Sequence, residues 1–343
     1  MFKPKFTITS KLNRFLIRIA VCREKIISAP ILPKREIRLV RSARLRMIYS
    51  STSIEGNPLS LRDVERVLEG KIVTGISEKD RLEIVNYEKA IEYIDGLFQK
   101  KEKKINKEIV LKIHRLLTKN ILRNSESGHY RSKPVFIVER PSGKIVDQAP
   151  VASKVAQLMK KLFDWLNSQE AKFLSPVIVA AIAHHQLVTV HPFIDGNGRT
   201  ARALATLILY QRNYDIKKMF ALEDYYNLDR REYYQAIRLA NKKKNLTTWL
   251  EYFASGLLKE MESVLTKVER LGLEARKEKQ IYLSSRQREI LDFVAVNGKI
   301  FRSDVVDICS VSPRTAHREL RKLINFKLLE GKGKGRGSYY ILK

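Results

Sequence analysis

Apolar side chains recur at three- and four-residue intervals along most of the chain, and that spacing predicts helices that bury one face. Leu12, Phe15, Leu16 and Ile19 begin the pattern, Pro30 and Pro33 interrupt it, and Ile37 and Val40 resume it, so two helices with a proline-bearing connector are expected before Tyr49. A short helix follows from Leu61 to Leu68. Leu82, Val85, Ile91, Ile94 and Leu97, then Ile109, Leu111, Ile113, Leu116 and Leu117, predict two scaffold helices, with His114 packed among apolar neighbours on the second. Further helices are expected over residues 151–166, 175–188, 229–241 and 249–276, the last with Leu250, Phe253, Leu257, Met261, Val264 and Val268 on one stripe.

Two stretches leave the helical period. Val135, Phe136, Ile137 and Val138, the turn residues Pro141, Ser142, Gly143 and Lys144, and then Ile145 and Val146 alternate as a β-hairpin does. Near Gln280 the composition turns charged, and a separate unit is expected beyond it. There, helices over residues 285–296, 303–308 and 312–326 precede strands at 328–330 and 338–342 around a Gly- and Lys/Arg-rich turn. The whole therefore reads as a mainly α protein with little sheet.

Composition narrows the class. At 44% hydrophobic and 30% charged residues the chain is an ordinary globular one, and its 343 residues allow two or three domains. No apolar run approaches the ~18 residues of a membrane span, and Lys11, Arg14 and Arg18 interrupt any signal-peptide core. Cys22 and Cys309 lie far apart without metal-ligand spacing. A cytoplasmic protein with no membrane partner is expected. The net charge of +29 is concentrated at the ends, with thirteen basic against two acidic residues over 1–49 and sixteen against seven over 276–343. Such an excess suits an acidic partner such as nucleic acid, and equally suits a Lys-rich, soluble surface.

The densest chemistry lies in residues 191–202, His-Pro-Phe-Ile-Asp-Gly-Asn-Gly-Arg-Thr-Ala-Arg, which run straight into the apolar segment 203–209. Gly196, Asn197 and Gly198 can form a backbone nest whose N–H groups point at an anion from the positive end of a helix. Arg199 and Arg202, three apart on its first turn, can pair with neighbouring phosphate oxygens, which suggests a polyphosphate. Asp195 supplies a hard oxygen of the kind Mg²⁺ shares with phosphates. His191 titrates near neutrality and could take a proton from an attacking hydroxyl. His184 and His185, adjacent on one helix, face different directions and are read as packing or hydrogen-bonded residues.

Every specified position of residues 191–202 matches the signature His-x-Phe-x-Asp/Glu-Gly-Asn-Gly-Arg-x-x-Arg, so the chain resembles the Fic (filamentation induced by cyclic AMP) family over roughly residues 50–257. The resemblance implies a helical core with a β-hairpin flap and transfer of AMP from ATP to a Ser, Thr or Tyr hydroxyl, on a target protein or on the chain itself. It implies His191 as general base, Phe193 as the loop's anchor and Asp195 as the Mg²⁺ ligand. Gly196, Asn197 and Gly198 would hold the α- and β-phosphates, Arg199 and Arg202 the outer ones, and Tyr233, Tyr234 and Asn241 the nucleoside. Val135–Val138 would be the flap that captures the target's extended backbone. Ser51, Glu55 and Gly56 match the family's inhibitory Ser/Thr-x-x-x-Glu-Gly/Asn element, which implies a carboxylate set beside Arg202 in place of the γ-phosphate.

Three domains are expected: a helical region over 1–100 with the inhibitory element, the catalytic core over 101–279, and residues 280–343. The last resembles a winged helix-turn-helix, in which Arg314, Thr315, His317 and Arg318 would read base edges while Lys332, Lys334 and Arg336 meet phosphate. Such a domain serves DNA binding or protein interaction, and a homodimer is among the expected assemblies. A DNA-binding regulator with a nucleotide-sensing core, and transfer of another nucleotide such as UMP, stand as alternatives.

Overall fold

The computed structural model describes residues 2–99, 104–139, 144–275, 283–333 and 335–343. Two compact units divide the chain. The first joins Met1–Glu24, Leu45–Ile216 and Phe220–Glu262, and the second joins Lys25–Arg44, Lys217–Met219 and Ser263–Lys343.

In chain order the elements begin with α1 (Ser10–Ser28), α2 (Pro33–Ile54), α3 (Leu61–Leu68), α4 (Glu78–Gln99) and α5 (Lys107–Leu117). The hairpin β1 (Phe136–Glu139) and β2 (Lys144–Gln148) follows, then α6 (Ala152–Leu166), α7 (Gln169–Phe173), α8 (Pro176–Val190), α9 (Asn197–Gln211), α10 (Leu222–Leu228), α11 (Arg230–Lys243) and α12 (Thr247–Ala275). The fold is mainly helical, as the apolar spacing predicts.

The first unit is built around α8 and α9. Pro176 starts α8, where a missing N–H costs nothing. From Val177 to Leu187 its residues are buried on every side except at Gln186, and a helix apolar all round belongs in the centre of a core. In α9 even Thr200 and Thr206 are buried. Helices α4 and α5 pack on α9, α6 packs on α8, and the Trp249 indole of α12 donates to the Ala181 carbonyl at 2.7 Å. Only the short connector 191–196 joins these two central helices, so whatever it carries is presented from a rigid base. Strands β1 and β2 are antiparallel, from Phe136 opposite Gln148 to Glu139 opposite Lys144, with an irregularity between Ile137 and Val138. Pro141, Ser142 and Gly143 of the expected turn lie outside the described residues.

In the second unit come α13 (Ser285–Asn297), β3 (Ile300–Phe301), α14 (Arg302–Cys309), α15 (Pro313–Asn325), β4 (Leu329–Lys332) and β5 (Tyr339–Leu342). The strands form an antiparallel sheet in the order β3-β5-β4. Ser284 and Gln287 cap α13 reciprocally, and Ser312 caps α15 by accepting from the Thr315 N–H. Ile290, Leu291, Val294, Leu320, Leu323 and Leu329 make its core, joined by Ile37 of α2.

Candidate functional site

The site grows from the connector between α8 and α9. His191 caps α8 with φ 49°, a left-handed conformation, and its N–H still closes the last turn on the Leu187 carbonyl at 2.9 Å. Its ring Nδ1 lies 3.1 Å from the Val188 carbonyl. A carbonyl only accepts, so Nδ1 carries the proton and Nε2 keeps its lone pair. Burial lowers the His191 pKa from the ordinary value, against the opposing pull of that carbonyl and of Glu55. The imidazole is therefore neutral at pH 7.

Beyond His191 the loop is held by its own residues and by neighbours. Asn197 exchanges two 2.9 Å hydrogen bonds with the Phe193 backbone, one in each direction. Gly196 opens α9 at φ 77°, which glycine adopts without strain. Arg131, 6% exposed, donates through Nε to the His191 carbonyl at 2.7 Å, and its N–H meets the Pro192 carbonyl at 2.9 Å. Phe193 is fully buried and stacks on the His114 ring at 3.7 Å. Burial pushes the His114 pKa down to about 4.

The two arginines lie beneath this turn, and both are almost fully buried. Arg199 Nη1 stands 3.1 Å from Glu83, whose other oxygen accepts from Asn57 at 2.9 Å; Arg199 Nη2 is 3.7 Å from Asp195. Arg199 is thus turned inward. Arg202 donates through Nε to the Ser51 hydroxyl at 2.8 Å, and through Nη2 to the Ser51 carbonyl at 2.8 Å and to Glu55 Oε1 at 2.7 Å. Burial opposes the Arg202 charge, yet Glu55 and its other neighbours keep the pKa above the usual value. For Glu55, burial pulls upward, but Arg202 and Arg199 outweigh it and hold the carboxyl below its usual range. Gly198 faces the same carboxylate closely enough that a Cβ there would collide with Glu55 Oε1.

Glu55 and Gly56 follow the last turn of α2, with Gly56 at φ 95°. That turn is tied down by polar contacts: Ser50 donates to Asp224 at 2.6 Å, Arg46 bridges Asp224 and Glu260, and Arg230 donates to the Ser53 hydroxyl at 2.8 Å. Spacing along the chain gives no hint of Glu83, Arg131, Asp224 or Arg230 in these places. Each meets its partner only through tertiary packing.

The remaining expected positions fall in several places. Tyr233 is buried in the core, its hydroxyl 3.0 Å from His184 Nε2 and its ring stacked on Tyr226, within electrostatic range of Arg202. Tyr234 is half-buried, and the Asn241 side-chain oxygen accepts from Thr189 at 3.0 Å. His184 and His185 are both buried and hydrogen-bonded, as read from their adjacency. Asp195 keeps 40% of its side chain exposed, and no cluster of three or more His, Cys, Asp or Glu side chains suited to a metal occurs among the described residues. In the hairpin Val135 is half-buried and Phe136 exposed, while Ile137 and Val138 belong to β1. In the second unit Arg314, His317, Arg318 and Lys332 are exposed and Thr315 is half-buried. Arg336 lies in a single 3₁₀ turn, and Lys334 is outside the described residues. No described helix is long and apolar enough to cross a membrane.

Comparison with known proteins converges on one family. A Fic/DOC family model matches residues 104–209. The chain is 31% identical over 232 residues to protein adenylyltransferase Fic of Nematostella vectensis, covering 67% of this chain and 51% of that one. It is 32% identical over 209 residues to protein adenylyltransferase fic-1 of Caenorhabditis elegans, covering 60% and 38%. The chain thus spans about half of the length of the first of these curated relatives and less of the second. Among solved structures, a Fic family protein from Desulfovibrio desulfuricans G20 matches 100% of this chain and 98% of its own at TM-score 0.65 and 24% identity. A fragment of Fic-1 from C. elegans matches 78% and 74% at TM-score 0.60 and 26% identity.

Proposed function

Because the chain carries a Fic/DOC family domain over residues 104–209, we propose that it is a protein adenylyltransferase, moving AMP from ATP to a Ser, Thr or Tyr hydroxyl and restrained by Glu55. The observation that carries this reading is the connector between α8 and α9, which sets a neutral His191 with an available Nε2 beside the Gly196 turn that opens α9. The relatives named protein adenylyltransferase support it.

In this reading the N–H groups of the Gly196–Gly198 turn and the positive end of α9 hold the phosphate chain, the Gly196 N–H exchanging its 2.7 Å bond to Asp195 Oδ1 for a phosphate oxygen. Arg202 meets the outer phosphate once Glu55 has left it, and Arg199 adds charge from its seat on Glu83. The target hydroxyl oxygen attacks the α-phosphorus, His191 Nε2 takes its proton, and the bond from the α-phosphorus to the bridging oxygen breaks as pyrophosphate departs. Main-chain pairing with β1 would present the target. Mg²⁺ fits the donor present, because Asp195 offers a partly exposed carboxylate and this ion commonly binds through one carboxylate plus substrate phosphates. When bound, the ion would neutralise charge on the phosphates and on the departing pyrophosphate.

Incubation with Mg²⁺ and ATP labelled at the α-phosphate is expected to label protein, while γ-labelled ATP leaves protein unlabelled. Transfer of the γ-label would instead mean phosphorylation and overturn the reading. An excess of unlabelled UTP that abolishes the labelling would favour UMP as the group moved.

A second reading attaches to residues 283–343, whose helices and β3-β5-β4 sheet we read as a winged helix. The observation that favours DNA is the exposed basic edge of α15, Arg314, His317 and Arg318, with Lys332 on β4. If this face contacts DNA, binding weakens steeply with salt, and Lys332→Ala lowers the slope of log K against log salt by about one phosphate contact. Arg318→Ala and Arg314→Ala should also lose affinity for duplex DNA in an anisotropy titration. A slope unchanged in all three variants would assign the face to a protein partner or to a second copy of the chain.

A further inference from the structure

We propose that His114 is a positioning residue of the transfer site, fixing the anion-binding turn through one hydrogen bond on each ring nitrogen and a stack on Phe193. The proposal rests on the nucleotide-transfer reading above.

His114 lies on α5, fully buried. Its Nδ1 accepts from the Gly128 N–H at 2.9 Å, and its Nε2 lies 3.0 Å from the Asp195 carbonyl oxygen. An amide N–H can only donate and a carbonyl can only accept, so the two bonds select one neutral tautomer, with the proton on Nε2. Both nitrogens are then engaged, and the ring can act neither as base nor as metal ligand. What it can do is hold.

What it holds is specific. A peptide unit is planar and trans, so its C=O and N–H point in opposite directions. Drawing the Asp195 carbonyl toward His114 therefore aims the Gly196 N–H, the first of the nest, away from α5, where it now donates to the Asp195 carboxylate at 2.7 Å. The His114 ring lies parallel to Phe193, with centroids 3.7 Å apart and planes 5° apart, which fixes the loop one step earlier. Gly196 itself sits close against this edge: a Cβ there would come within 3.5 Å of His114 and 3.0 Å of Thr118. Thr118 is bound in turn to the His114 carbonyl and to Ser127, each at 2.8 Å.

The other end of the brace matters as much. Gly128, bound to Nδ1, lies three residues before Arg131, whose guanidinium holds the His191 carbonyl at 2.7 Å. One buried ring thus ties the segment that orients His191 to the turn that would receive the phosphates. These are the two groups whose separation has to suit an in-line attack. In a reaction dominated by positioning, a displacement of about 1 Å can cost about 10²-fold.

The test uses the full chain carrying Glu55→Gly as the active parent. His114→Phe keeps an aromatic ring for the stack and loses both hydrogen bonds; His114→Gln returns a donor at the Nε2 position. The first is expected to lower kcat/KM for ATP-dependent labelling by about 10²-fold, the second to recover at least tenfold of that loss, with melting temperatures separating either effect from unfolding. In nitrogen-15 spectra of the unsubstituted chain, His114 is expected as the tautomer protonated on Nε2 alone. The proposal is overturned if His114→Phe labels within twofold of the parent, if Gln and Phe are equally impaired, or if the Nδ1-protonated tautomer is found. Should the parent transfer no AMP, the functional reading fails, and calorimetric titration with ATP decides for His114 separately: weakened binding in His114→Phe supports the brace, and undiminished binding removes it. If His114→Phe does not fold, the Gln variant and the tautomer still give the answer.

Discussion

Replacing Glu55 by glycine is expected to raise the rate of AMP transfer by about 10- to 100-fold. The magnitude comes from what the carboxylate now does. Glu55 Oε1 takes a 2.7 Å charge-assisted hydrogen bond from Arg202 and occupies the space over Gly198, at the start of α9, where an outer phosphate would lie. Such bonds contribute about 1.5–3 kcal/mol, and a tenfold change corresponds to about 1.4 kcal/mol. Arg202 would stay oriented in the variant, because Ser51 keeps its bonds to Nε and Nη2. The same substitution leaves a buried guanidinium without its counter-ion. The variant is therefore expected to melt lower without nucleotide and to gain more from saturating ATP than the parent, since a ligand that binds only the folded state stabilises it. Initial rates of labelling and melting curves with and without ATP check both halves, and equal rates in the two proteins would sink the restraint.

The sign of the pH effect on this restraint follows from the lowered Glu55 pKa. Although burial pulls it upward, Arg202 and Arg199 prevail. A carboxyl with a depressed pKa in the folded chain keeps its stabilisation above the ordinary value of 4.5 and loses it only as pH falls through the lower one. Mild acid should therefore leave the restraint in place. The last turn of α2, which carries the proposed restraint, is clamped by Arg46, Asp224 and Arg230.

How much of this could be read from the chain alone depends on how local the chemistry is. Residues 191–202 carry their own geometry: Gly196 must take a positive φ, Asn197 folds back on Phe193, and Arg202 follows one turn into α9. All of it lies within a dozen positions. The Glu55–Arg202 pair is separated by 147 residues, and no periodicity connects them; only resemblance to a motif could suggest it. Glu83, Arg131 and His114 escaped functional notice for the same reason, since an acid, a base or a histidine on an amphipathic helix or loop gives no sign of which loop it will meet. Long helices were visible because their spacing repeats. The five residues of α7 and the two of β3 are too short to show a period, so the third strand of the C-terminal sheet emerges only in three dimensions. Tyr233 illustrates the remaining ambiguity. On an amphipathic helix, spacing shows that Tyr233 and Tyr234 point to different faces, and the structure turns the first toward His184 and the core.

His191→Ala, made in the Glu55→Gly parent, is expected to lower kcat by about 10²- to 10⁴-fold, the usual contribution of a positioned general base, with ATP binding changed little. Two features make the side chain the cause. Its Nδ1–H is committed to Val188, which leaves Nε2 as the proton acceptor, and burial keeps the ring neutral at pH 7 by lowering its pKa. The acid limb of the rate profile should therefore fall below the ordinary histidine value of 6.5, with full rate above it. The backbone offers a rival explanation, because His191 sits at φ 49°, where most residues are strained. Asparagine tolerates that region, so His191→Asn removes the base while leaving the turn at ease. Equal loss in the Ala and Asn variants, with ATP affinity by calorimetry close to the parent's, identifies proton transfer as what is missing. Recovery in Asn alone would assign His191 to the conformation of the loop, and the base would then have to be sought elsewhere.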